Sequence, residues 1–254
     1  RQAIAFGPIN PETVFKFINL LSTMNRHDDA IRLAQTYRKL DPANPSSLIF
    51  VRQVLQTREQ QLIAAGNFEG AMAITDELNK IDPKNDHLLR RDHYQRQLDN
   101  ENYFINAFTK NPTNPTNFVQ AIYIHGRRGR TNEILTAINT FSPLAGEDPK
   151  NLTLIKNAYG LIQRWEDKAL IDEKLTTLTP DDYAPWFDLA QTRLQLQQTN
   201  RATQALKEAL TRFKRGTESS SAVNIIDAIR TNAIFVPLRE HPEIKPFLEV
   251  AEEN

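Results

Sequence analysis

DYAPWFDLAQTRLQLQQTNRATQALKEALTRFK, from Asp182 to Lys214, carries the clearest helical pattern in the chain. Trp186, Leu189 and Ala190 fall three and four residues apart, a spacing that puts them on one face of a helix. After the polar run LQQTNR, the residues Ala202, Ala205, Leu206, Ala209, Leu210 and Phe213 repeat the same period. The reading is two amphipathic helices joined by a short turn. Ala190 and Ala202 are small enough to let the two backbones approach closely.

This pair resembles the tetratricopeptide repeat, a helix–turn–helix unit of 34 residues with a large aromatic residue, Leu and a small residue in its first helix and alanines in its second. The resemblance implies prolines at a regular interval near the ends of second helices. Pro8, Pro42, Pro83, Pro112 and Pro180 are separated by 34, 41, 29 and 68 residues. Gly146, another helix-ending residue, stands where the missing proline is expected. Apolar stripes follow the same frame. Val14, Phe17, Ile18 and Leu21 with Ala30, Ile31, Ala34, Tyr37 and Leu40 mark one unit; Phe118, Ala121 and Ile122 with Ile134, Ile138 and Phe141 mark another.

The expected architecture is all-α: a right-handed superhelical tetratricopeptide-like solenoid of antiparallel helix pairs over residues 1–254. Residues 1–10 read as the end of a truncated repeat, which implies that the natural protein continues upstream or that something else caps this end. Repeats follow at 11–44, 45–85, 86–114, 115–148, 149–182 and 183–216, with a C-terminal cap at 217–254. The unit 45–85 carries seven extra residues, so its first helix is expected to be long. The unit 86–114 is five short and degenerate, read as an irregular pair or one bent helix. In 149–182, Lys156 and Lys168 occupy positions where the family has small residues, which puts close helix contact there in question. In the ending IFVPLREHPEIKPFLEV, Phe235, Leu238 and Phe247 are expected to cover the last repeat.

Composition narrows the function. Lys plus Arg and Asp plus Glu number 31 each, so no net field draws the chain to nucleic acid or an anionic membrane. RNA-binding helical repeats of nearly this length are basic along the groove, which makes that the lesser alternative. With no cysteine, disulfides and thiolate chemistry are excluded. Phosphate-loop, nucleophile-elbow and zinc-helix motifs are absent. Asp86 and His93 lie two helical turns apart, about 10 Å of rise, too far to share a metal. No catalytic residue, cofactor or metal is expected. HGRRGR, with His125, Arg127, Arg128 and Arg130, reads as a solvated turn between helices.

In the family resembled, first helices line a concave groove. That implies a peptide-binding surface at Phe15, Val119, Thr153 and Phe187, beside Asn19, Tyr123, Asn157 and Gln191, with Gln120 next to them. The Lys/Asn carboxylate clamp of one family variant is missing, since Lys16, Gln120, Leu154 and Asp188 occupy one of its positions and no lysine the other. A protein or peptide partner is therefore expected, with a structural spacer or self-association element as the alternative. The chain also resembles the soluble tail of certain bacterial multi-pass membrane proteins similar to integral-membrane glycosyltransferases, which would put it outside the cytoplasm. No run in it is apolar for the roughly 18 residues a membrane span needs.

Overall fold

The computed structural model describes residues 10–215 and 225–249. Among them no helix is long and apolar enough to cross a membrane. The expectations for residues 1–9 and for the break at 216–221 lie outside the described residues.

Helix starts obey a capping rule. Asn10, Asn44, Asn114, Asp148 and Asp182 each accept a hydrogen bond from the backbone N–H two residues on, at 2.8–3.0 Å, satisfying a donor that the helix leaves orphaned. Pro11, Pro45, Pro115 and Pro149 follow four of these caps directly, where a missing N–H costs little. The helices so begun are α1 (Pro11–Thr23), α3 (Pro45–Ala64), α6 (Pro115–Arg127), α8 (Pro149–Leu161) and α10 (Tyr183–Gln195).

Each of these first helices ends in a left-handed residue: Asn25, Gly66, Gly129, Gln163 and Gln197, with φ of 57–66°. The next N–H reaches back to the carbonyl five residues earlier, as in Arg26 to Leu21 at 2.8 Å and Gln198 to Arg193 at 2.8 Å. This is the Schellman closure, and it launches the second helices α2 (His27–Leu40), α4 (Phe68–Ile81), α7 (Thr131–Ala145), α9 (Trp165–Leu178) and α11 (Thr199–Arg215). Pro42, Pro83 and Pro180 stand two residues past the ends of α2, α4 and α9, Pro112 stands two past a helix that ends at Lys110, and Gly146 caps α7 at φ 63°. The proline ruler therefore measures helix ends, as expected.

Two elements depart from the regular length. The extra residues of 45–85 extend α3 to 20 residues. The degenerate stretch is one helix, α5 (Asn85–Lys110); residues 85–110 contain no Gly or Pro to make a turn.

Contacts divide the chain into two compact units: the described part of Arg1–Phe104 with Arg127–Gly129, and the described part of Ile105–Gly126 with Arg130–Asn254. In the first, Val14, Ile18, Ala34, Tyr37, Val51, Leu55 and Leu78 form the main core. In the second, one cluster is built on Phe118 and Phe141, stacked at 4.3 Å. Another joins α10 and α11 through Leu189, Ala190, Ala202, Ala205, Leu206 and Ala209. Against it pack the short C-terminal helices α12 (Ile225–Thr231), α13 (Val236–Arg239) and α14 (Lys245–Glu249). Phe235 and Leu238 are completely buried there, and Phe247 partly. The chain is an all-α protein of tetratricopeptide-like helix pairs.

Candidate functional site

Three predicted residues of the second unit share one position of the 34-residue frame, each on a first helix: Tyr123 on α6, Asn157 on α8 and Gln191 on α10. Tyr123 and Asn157 are exposed and Gln191 is partly buried. The three helices adjoin. Leu161 of α8 lies over Gly126 of α6, so closely that a methyl added there would come within 2.6 Å of Leu161 Cδ2. Lys156 of α8 hydrogen-bonds to Asp188 of α10.

The remaining predicted residues serve mixed ends. Val119 is exposed and Gln120 partly buried on α6. The Thr153 hydroxyl donates to the Pro149 carbonyl at 2.8 Å within its own helix. Phe187 packs on the core and stacks with Phe235 at 5.2 Å. In the first unit, Phe15 stacks with Phe50 at 5.3 Å, while Asn19 is exposed on α1. The aromatic pair Phe15 and Phe187 thus holds the fold as much as it offers a surface.

The charged interior was not foreseen. Lys156 and Lys168, which put close α8–α9 contact in question, leave that pair less closely packed than α10–α11 and are drawn into an ionic network. Lys168 Nζ donates to Asp172 Oδ2 at 2.8 Å, and Thr192 Oγ1 donates to the same oxygen at 2.7 Å. Lys156 Nζ stands 3.6 Å from Asp172 Oδ1 and pairs with Asp188. Asp172 is wholly buried and Lys156 nearly so. Two cations and two anions cancel, which is how such charges persist out of water.

HGRRGR does contain the turn between α6 and α7, but only Gly129 and Arg130 of it are exposed. Arg127 and Arg128 both pair with Glu101 of α5, and the side chains of Arg128 and Glu101 are each only 6% exposed. His125 is buried, and Arg130 alone of the four is exposed.

In the first unit, buried Glu59 accepts from Thr75 Oγ1 at 2.8 Å, Tyr94 OH at 3.0 Å and Arg90 at 2.6 Å. Burial, and then the Glu59 carboxylate, push the Tyr94 hydroxyl up to about 12. At the surface, the ammonium of Lys207 holds the Glu243 carboxyl below its ordinary value.

No protein-family model matches the chain, and no curated protein matches it. Among solved structures it is similar to the MamA protein, at 12% identity and a TM-score of 0.37, covering 84% of this chain and 97% of that one. It is similar at a TM-score of 0.34 and 12% identity to the TPR2AB-domain:pHSP90 complex of yeast Sti1, over 96% of this chain and 86% of that one. A tetratricopeptide repeat protein from Parabacteroides merdae has the same score and identity, over 95% and 98%. Scores of this size fall short of a common course for the whole chain and add nothing to the site; the helix pairs stand on their own caps and turns.

Proposed function

We propose that the chain is a non-enzymatic interaction module whose first-helix face in the second unit takes an extended segment of a protein partner. The observation that carries this is the row of Tyr123, Asn157 and Gln191, one side chain per helix on three adjoining helices. An amide side chain offers both a donor and an acceptor, so Asn157 and Gln191 match the N–H and C=O of an extended backbone, and Tyr123 adds a ring for an apolar side chain. Catalysis is disfavoured by the sequence, which lacks cysteine and the phosphate-loop, nucleophile-elbow and zinc-helix motifs. The buried ions of the second unit are already matched to one another.

Photo-crosslinking in the source cells tests the reading. A benzophenone amino acid at 123, 157 or 191 is expected to trap one and the same partner. The same probe at Leu170, 63% exposed on the second helix α9, is expected to trap none. Trapping from 170 and not from the row would overturn the proposal, and trapping of a second copy of the chain would replace it with self-association.

A further inference from the structure

The face of α6 and α8 carries more than the polar row. Val119 and Tyr123 lie four residues apart on α6, hence on one side of the helix. They are 40% and 62% exposed. Gly126 follows Tyr123 by three residues, and Leu161, 54% exposed, fills the space its missing side chain leaves. A leucine that crosses onto the neighbouring helix adds a third apolar side chain beside the face that carries Val119 and Tyr123. Any side chain at 126 would have to displace Leu161.

The two helices themselves carry side-chain charge of one sign. Neither α6 nor α8 contains an Asp or Glu. Lys156 is buried and matched by Asp172 and Asp188, and Asp148 accepts from the backbone N–H of Lys150. Arg130, four residues past Gly126, and Lys150, in the first turn of α8, are exposed and pair with no carboxylate among the described residues. From Lys150 to Leu161 the helix rises about 16 Å, the span of roughly five residues of extended chain.

We propose that this face takes an extended acidic segment that seats one large apolar side chain between Tyr123 and Leu161 and sets its carboxylates toward Arg130 and Lys150. The proposal rests on the peptide-binding reading above and gives the chemistry of its partner. Burying one Phe side chain contributes about 1.5–3 kcal/mol, which is roughly a tenfold or greater gain in affinity.

Three fluorescein-labelled synthetic peptides in a Gly/Ser background provide the test: one Phe flanked by Asp, the same Phe flanked by Lys, and the Asp peptide with Ser in place of Phe. Fluorescence anisotropy against the full chain is expected to show the Asp–Phe peptide bound at least about tenfold tighter than either control, and weakened by salt because the flanking pairs are exposed. Tyr123→Ala and Leu161→Ala are expected to remove that preference; both side chains are more than half exposed, so circular dichroism should show both variants folded. A Lys–Phe peptide bound as tightly, and lost in Tyr123→Ala, would overturn the acidic partner while leaving the face as a peptide site. No binding of the Asp–Phe peptide, or binding indifferent to both substitutions, would overturn this proposal, and the crosslinking above would still decide the broader reading.

Discussion

The pairs α8–α9 and α10–α11 are the same device with opposite interiors. Both begin at an Asp cap, both turn at a glutamine with φ of 58°, and their residues correspond at an offset of 34. Yet Lys156 stands where the other pair has Ala190, Lys168 where it has Ala202, and Asp172 where it has Leu206. One interface is dry, closed by alanines with 0% exposure; the other is a network of matched ions with an equally buried aspartate. The caps and turns set where each helix begins and ends, while the alanine interior lets its two backbones approach more closely than the lysine interior does. Lysine at a small-residue position is tolerated because its stem packs while its ammonium finds a carboxylate.

Unbalancing the charged pair should be the most destabilising change. Asp172→Leu alone leaves the buried Lys156 ammonium with only Asp188 and the partly buried Lys168 ammonium with no carboxylate, and should cost about 3–5 kcal/mol in a urea titration. Converting all three positions together, Lys156→Ala, Lys168→Ala and Asp172→Leu, copies the dry pair and should be neutral or stabilising by about 1–4 kcal/mol. If the triple variant is as unstable as the single one, the two interiors are not interchangeable. Ala202→Leu overfills the dry pair and should cost about 1–3 kcal/mol, read as a lower urea midpoint at unchanged slope.

The third buried carboxylate, Glu59, gives a pH test. Tyr94 holds its proton up to about 12 in the folded chain against an ordinary 10.0. Its stabilisation is therefore complete below pH 10 and lost as the pH rises through that folded value. Tyr94→Phe should lose about 1 kcal/mol at neutral pH for the missing hydrogen bond and show a shallower decline than wild type above pH 10. The smallest effects belong to the shared turns. Gln163→Gly and Gln197→Gly exchange a left-handed strain of about 1–2 kcal/mol for an unfolded-chain entropy of about 0.5–1 kcal/mol. Both should raise the melting temperature slightly and by the same amount, and unequal shifts would mean the turns are not equivalent.

The repeat frame was legible because prolines and apolar stripes are local signals. The better ruler was also in plain view: the Asx caps at 10, 44, 114, 148 and 182 keep intervals of 34, 70, 34 and 34. The ion networks were not legible. Lys156 meets Asp188 across 32 residues and Arg128 meets Glu101 across 27, and Glu101 belongs to the stretch whose repeat pattern is weakest. A charge read one helix at a time looks solvated when its partner lies on another. The site divides the same way. Exposure of Asn157 and Tyr123 followed from helical register, whereas the seating of Leu161 over Gly126 depends on how closely α6 and α8 approach.

The direct measurement is a capture experiment from source-cell lysate with three baits: wild type, Tyr123/Asn157/Gln191 all changed to Ala, and the Lys156→Ala, Lys168→Ala, Asp172→Leu triple. With the surface row as the working face and the ion network as structure alone, wild type and the network triple should hold the same partner and the surface variant should lose it while remaining folded. A partner retained by the surface variant, or lost by a folded network triple, would contradict that division of roles.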